Sequence, residues 1–246
     1  MDVYENIVIG GFIYTLGFCA GRRALPPPTN INLLQQTPMD QSLADVLIGM
    51  PNVYHLIEFK RRASRSQKET DKRRFLERYL SVHDRRFCNI SRATHLYIEN
   101  DLRSGSLEVF CAPYLDFVTG LKKTTLDLIA NTILDGVQVT DLRISGKECC
   151  DYLELVQQAY KGMYKASGSA GDSGGFIIVG GASTGEIQFQ ALPDIRQFAM
   201  TGRELQRLHQ DQRRDLDQKI DTSKTRSRVN ERERSQDRTI SRGLSM

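Results

Sequence analysis

The stretch Asp45-Val46-Leu47-Ile48-Gly49-Met50-Pro51-Asn52-Val53-Tyr54-His55-Leu56-Ile57-Glu58-Phe59-Lys60 decides how the chain folds. Two short apolar runs flank a Gly-Met-Pro-Asn break, the pattern of two strands joined by a turn. A turn centred on Pro51-Asn52 sets Met50 against Val53, Leu47 against Leu56 and Asp45 against Glu58. Side chains alternate along a strand, so Glu58 and Lys60 share a face with Leu56, while Ile57 and Phe59 take the other. Directly opposed residues of an antiparallel pair lie about 4.5–5.5 Å apart at Cβ. The expected register therefore brings two carboxylates together, with an ammonium two residues along. Carboxylates that close repel unless a cation lies between them. Oxygen ligands with room for water suit Mg²⁺ or Mn²⁺.

Outward from this hairpin, residues 2 to 19 read as a helix, with Asp2 as cap, Glu5 in the first turn and apolar Tyr4, Ile7, Val8, Phe12 and Phe18. Pro26-Pro27-Pro28 demands an extended loop. Residues 64 to 82 form a basic helix with Phe75, Leu76, Tyr79 and Leu80 inward. Thr94 to Glu99 and Leu107 to Pro113 are strands around a Ser104-Gly105 turn. Helices are expected over 121 to 135 and 148 to 166, a Gly/Ser loop over 167 to 175, and a second hairpin from Phe176 to Val179 and Glu186 to Leu192.

This order of elements resembles the PD-(D/E)XK nuclease superfamily over roughly residues 1 to 115. An early helical Glu is followed by Asp at a strand start, Glu-x-Lys at a strand end, a basic helix and a further strand. The resemblance implies a restriction-endonuclease-like α/β fold, a mixed sheet of about four or five strands flanked by helices. It implies Asp45, Glu58 and Lys60 as catalytic residues. Asp45, Glu58, the backbone carbonyl of Phe59 and Glu5 would hold Mg²⁺ or Mn²⁺, and Lys60 would position the attacking water. Residue 44 is Ala where the family's motif has Pro. The activity implied is hydrolysis of phosphodiesters by metal-activated water, in DNA before RNA, as in a restriction or phage-defence effector.

The run Lys60-Arg61-Arg62, Arg65, Lys68, Lys72-Arg73-Arg74 and Arg78 is the densest basic stretch of the body. Arg61, Arg62, Arg65, Lys68 and Lys72 are the expected phosphate contacts, against the plainer reading of a solvated helix face balanced by Glu69, Asp71 and Glu77.

Composition bounds the rest. At 246 residues and 39% apolar content the chain supports one substantial core. The net charge of +4 lies wholly in Arg203–Met246, which holds 12 Lys/Arg and 8 Asp/Glu; the preceding residues carry 22 of each. That segment reads as a helix to about 220 followed by disorder, able to dock a protein partner or nucleic acid. The expected organisation is a nuclease core over 1–115, an α/β elaboration over 116–202 and a charged tail over 203–246. Five scattered Cys without C-x-x-C spacing suit a reducing compartment. His55, His83, His95 and His209 lack zinc spacing. Acidic Asp2 and Glu5, with Gly10-Gly11 breaking the apolar run, argue against a leader or a membrane span, so a cytoplasmic protein is expected. Double-strand cutting would favour a homodimer.

Two other readings compete. Gly171-Asp172-Ser173-Gly174-Gly175 spells the serine-nucleophile motif of trypsin-like proteases, but no His stands in that family's context, and a Gly/Ser turn is the simpler account. The second alternative is a catalytically inactive nuclease-like subunit that binds nucleic acid or recruits partners through its tail.

Overall fold

The computed structural model describes residues 3–25, 30–34, 43–50, 53–64, 66–103, 105–136, 144–163, 175–180, 187–192 and 214, with Asn30, Val53, Arg103 and the segments 175–180 and 187–192 described by backbone alone. The chain divides into two units, Met1–Gly202 and Arg203–Met246. The expected Asp2 cap, the Ser173 motif, Arg65 and, Arg214 apart, the charged tail lie outside the described residues.

The chain opens with helix α1 (Glu5–Arg22), then strands β1 (Asn30–Leu33), β2 (Val46–Met50) and β3 (Val53–Arg61). Helices α2 (Gln67–His83) and α3 (Arg85–Thr94) lead to β4 (His95–Arg103) and β5 (Ser106–Pro113). A short helix α4 (Phe117–Gly120), β6 (Lys122–Thr124), α5 (Leu126–Asp135), α6 (Gly146–Met163), β7 (Gly175–Gly180) and β8 (Ile187–Leu192) complete it. The strands form one mixed sheet in the order β6-β5-β4-β3-β2-β1-β7-β8. The fold is therefore α/β, a mixed sheet flanked by helices. It is larger than the four or five strands expected, because β1 and β6 are too short to read from sequence and β7–β8 joins the same sheet beside β1.

β2 and β3 pair antiparallel with Met50 opposite Val53, Leu47 opposite Leu56 and Val46 opposite Ile57, the register read from the hairpin. β3 then pairs parallel with β4, Glu58 opposite Tyr97 and Lys60 opposite Glu99. A parallel neighbour needs a crossover, and α2 and α3 supply it. The site strand thus lies inside the sheet rather than at an edge.

Each face of the sheet carries helices. Val46, Ile48, Ile57, Phe59, Ile98 and Val109 pack under α1 and α5, whose Val8, Phe12, Leu16, Ile129 and Ile133 close the core. The Phe12 and Phe59 rings sit 5.7 Å apart. The other face is covered by α2, α3 and α6. There Tyr97 stacks on Phe117 at 4.1 Å and His95 on Tyr114 at 4.2 Å. The His95 ring also meets the Tyr152 hydroxyl of α6 at 2.8 Å.

Several local readings need correction. α1 starts at Glu5 behind an N-cap, Tyr4, with no side-chain hydrogen bond, and its Tyr4, Ile7 and Phe18 are exposed while Val8 and Phe12 are buried. On α2 only Leu76 and Leu80 of the four expected inward residues are buried; Phe75 is exposed. The helix expected from 121 begins at Leu126, where Thr125 caps by accepting the Leu128 N–H, and Lys122–Thr124 instead pairs with β5.

Candidate active site

The hairpin and α2 together build a buried charged cluster. Asp45 sits just before β2. Its main-chain carbonyl accepts the Leu34 N–H at 2.8 Å, and its Oδ2 accepts the Phe59 N–H at 2.6 Å. Asp45 is therefore tied to the stretch after β1 through its main chain and to β3 through its carboxylate. Asp45 and Glu58 are both buried. Lys60 Nζ lies 2.8 Å from Glu58 Oε1 and 3.7 Å from Asp45 Oδ2. The expected trio of Asp45, Glu58 and Lys60 is thus brought together around one point.

Burial alone would push the Lys60 ammonium down, but Glu58 and Asp45, with a smaller share from Glu5, outweigh it and hold the pKa well above the usual lysine range. Lys60 is a fixed cation at neutral pH. It can donate hydrogen bonds to a phosphate oxygen or a water, and it is not a proton acceptor in this arrangement.

Glu5 and Phe59 reach the site differently from expectation. Glu5 Oε1 accepts the Arg61 N–H at 3.1 Å, so the first turn of α1 closes on the end of β3 through the main chain. The Phe59 contact seen is its N–H to Asp45, and its ring points into the core toward Phe12.

Of the expected phosphate contacts, Lys72 points inward. It is buried on α2, with Nζ 3.9 Å from Glu58 Oε2 and 4.6 Å above the Tyr160 ring. The cause is the helical period: Glu69, Lys72, Leu76 and Leu80 are the buried residues of α2 and form one inward stripe. Lys68, by contrast, is exposed, as is Gln67, which donates to Asp71. Arg62 is exposed, its guanidinium 4.7 Å over Phe110 and 3.6 Å from Glu99. Arg61 lies 5.6 Å from the Tyr4 ring.

Sequence reasoning missed Glu69. Its Oε1 accepts the Tyr114 O–H at 2.6 Å. Burial, then the negative charge of Glu58, raises its pKa above the usual carboxylate value, while Lys72 and the Tyr114 hydrogen bond oppose the rise. The signal was present: position 69 falls on the stripe of Leu76 and Leu80, where an acid must be paired.

His55, set between the site and the turn on β3, is buried with neither ring nitrogen hydrogen-bonded among the described residues. Burial pushes it down to about 4. It is a buried residue of β3.

Among the described residues no group of three or more His, Cys, Asp or Glu is set to hold a metal ion. The donors that do converge, two carboxylate oxygens about a single ammonium, fit a hard cation in kind: the Lys60 Nζ marks a point that both oxygens already favour for positive charge. No helix among the described residues is long and apolar enough to cross a membrane. No protein-family model, curated protein or solved structure matches the chain.

Proposed function

We propose that the protein is a metal-dependent nuclease of restriction-endonuclease-like type, acting on DNA. The observation that carries the reading is the meeting of Asp45, Glu58 and Lys60 at the end of an interior strand, with Lys60 Nζ 2.8 Å from Glu58 and 3.7 Å from Asp45. Asp45 and Glu58 would hold Mg²⁺ or Mn²⁺, and Glu5 stands behind them at the strand end. Bound there, the ion would supply a water of lowered pKa and charge stabilisation at phosphorus. The chain's own part is positional. The Phe59 N–H fixes Asp45, Lys60 presents donors to a phosphate oxygen or the attacking water, and the exposed Arg62 and Lys68 would supply positive charge to a bound backbone.

A second reading, a nuclease-like fold without catalysis, draws on one observation. Both Glu58 oxygens lie near ammonium groups, Lys60 at 2.8 Å from one and Lys72 at 3.9 Å from the other, so the charge of Glu58 is already matched from within the chain.

Cleavage of plasmid, linear duplex and single-stranded DNA with Mg²⁺, Mn²⁺ or EDTA separates the two. Metal-dependent cutting is expected from wild type, with a loss of about a hundredfold or more in Glu58→Ala and in Lys60→Ala that remain folded. Cutting that persists in both variants would put the active site elsewhere. Wild type that cuts nothing under any metal would favour the inactive reading.

A further inference from the structure

We propose that Lys72 is a positioning residue that fixes which oxygen of Glu58 is offered to a cation and, with Glu69, sets how tightly the site holds one. The proposal rests on the metal-site reading above. Glu58 has an ammonium beside each oxygen: Oε1 faces Lys60 at 2.8 Å, and Oε2 faces Lys72 at 3.9 Å. Lys60 also touches Asp45, so Oε1 is the oxygen turned toward Asp45, and Oε2 is the one turned toward α2. A cation taking the place of the Lys60 ammonium would meet Oε1, while the Lys72 charge beside Oε2 disfavours a second positive charge there, so Lys72 biases Glu58 toward binding through one oxygen.

The anchor is itself braced. Lys72 lies 4.6 Å over the Tyr160 ring of α6. That contact favours the ammonium and limits its movement. Glu69, one turn earlier on the same stripe, is held by the Tyr114 O–H at 2.6 Å and lies within electrostatic reach of Lys72, Lys60 and Glu58. The cluster therefore has three carboxylates, Asp45, Glu58 and Glu69, against two ammonium groups, Lys60 and Lys72. A buried cluster of that make-up is tuned by its charge count. An ammonium near an incoming dication opposes its binding, and an extra carboxylate favours it.

The two α2 residues should therefore move cation affinity in opposite directions, which loss of packing would not do. Calorimetric titration of the full chain with Mn²⁺ reads this directly, beside Tm as a check on folding. Lys72→Met is expected to bind Mn²⁺ about tenfold more tightly, and Glu69→Gln several-fold more weakly. Turnover on DNA at saturating Mn²⁺ should fall in Lys72→Met despite the tighter binding, because Glu58 is no longer held to one geometry. Should Lys72→Met not fold, Lys72→Gln makes the same test. Shifts of the same sign in both variants, or no shift in either, overturn the role of Lys72 alone. Wild type that takes up no Mn²⁺ overturns this proposal and the metal reading together.

Discussion

A histidine held neutral by burial makes stability depend on pH in a defined direction. His55 has a folded pKa of about 4 against 6.5 for the free side chain, and burial is the cause. Its folded value lies below its unfolded one, so the unfolded state binds the proton more readily. Stability is complete above about pH 6.5 and declines as pH falls toward 4. Between roughly pH 7.5 and pH 4.5 the loss should be about 2–3 kcal/mol from this residue. Urea unfolding of wild type and His55→Leu at the two pH values checks it, the variant losing less. An equal loss in both would place the dependence elsewhere. His95 is lowered by burial and by Lys72 and acts in the same sense, so the variant keeps some slope. At the same scale, Lys68 and Lys72 had the same standing in the sequence as basic residues of one run after Lys60. Only the helical phase of Lys72 with Leu76 and Leu80 separates a buried anchor from a solvated charge.

Among the elements, the hairpin was the most legible because its apolar runs, its two-residue gap and its side-chain alternation all specify one register. A one-residue slip would turn Glu58 and Lys60 to the α1 side of the sheet, where the core is closed. The basic helix was legible in extent but not in face. α3 was not read: Cys88 and Ile90 are its only buried apolar side chains, though Asp84 caps it by accepting the Arg86 N–H at 2.8 Å. The start of α6 is a reciprocal capping box in which Ser145 and Glu148 each accept the other's main-chain N–H, a signature that places the helix earlier than position 148. Arg86 of α3 pairs with Glu148 and, with Ser145, holds its pKa down to about 2. The strongest element-scale test is Phe12→Ala. Phe12 is fully buried on α1 against Phe59, the residue between Glu58 and Lys60. Truncation should cost about 3–5 kcal/mol in urea unfolding. It should also weaken any cleavage at temperatures where the variant is still folded, since Phe59 carries the amide that holds Asp45. Full activity at full occupancy of the fold would show the site to be independent of this packing.

Across the whole molecule, the sheet grows outward from β3 on both sides, but not at the same time along the chain. β4, β5 and β6 follow within the next part of the sequence, whereas β1 waits for β7, and Ile31 pairs with Ile178 from a segment almost 150 residues later. That long interval was invisible to local reading, since Asn30–Leu33 has no strand signature of its own and becomes a strand by having partners on both sides. It has a consequence for synthesis. A nascent chain that has completed α6 already holds every site residue named here, yet presents β1 as an open edge, with one row of main-chain donors and acceptors unmatched by β7. Such an edge recruits other chains. A fragment ending at residue 163 should therefore fold its charged cluster and self-associate in a concentration-dependent way by sedimentation, while the full chain does not do so through this edge. A monomeric, well-folded fragment would show that the edge is harmless. If it does associate, the β7–β8 hairpin acts during synthesis as a cap delivered late, and the growing chain is a vulnerable intermediate until it arrives.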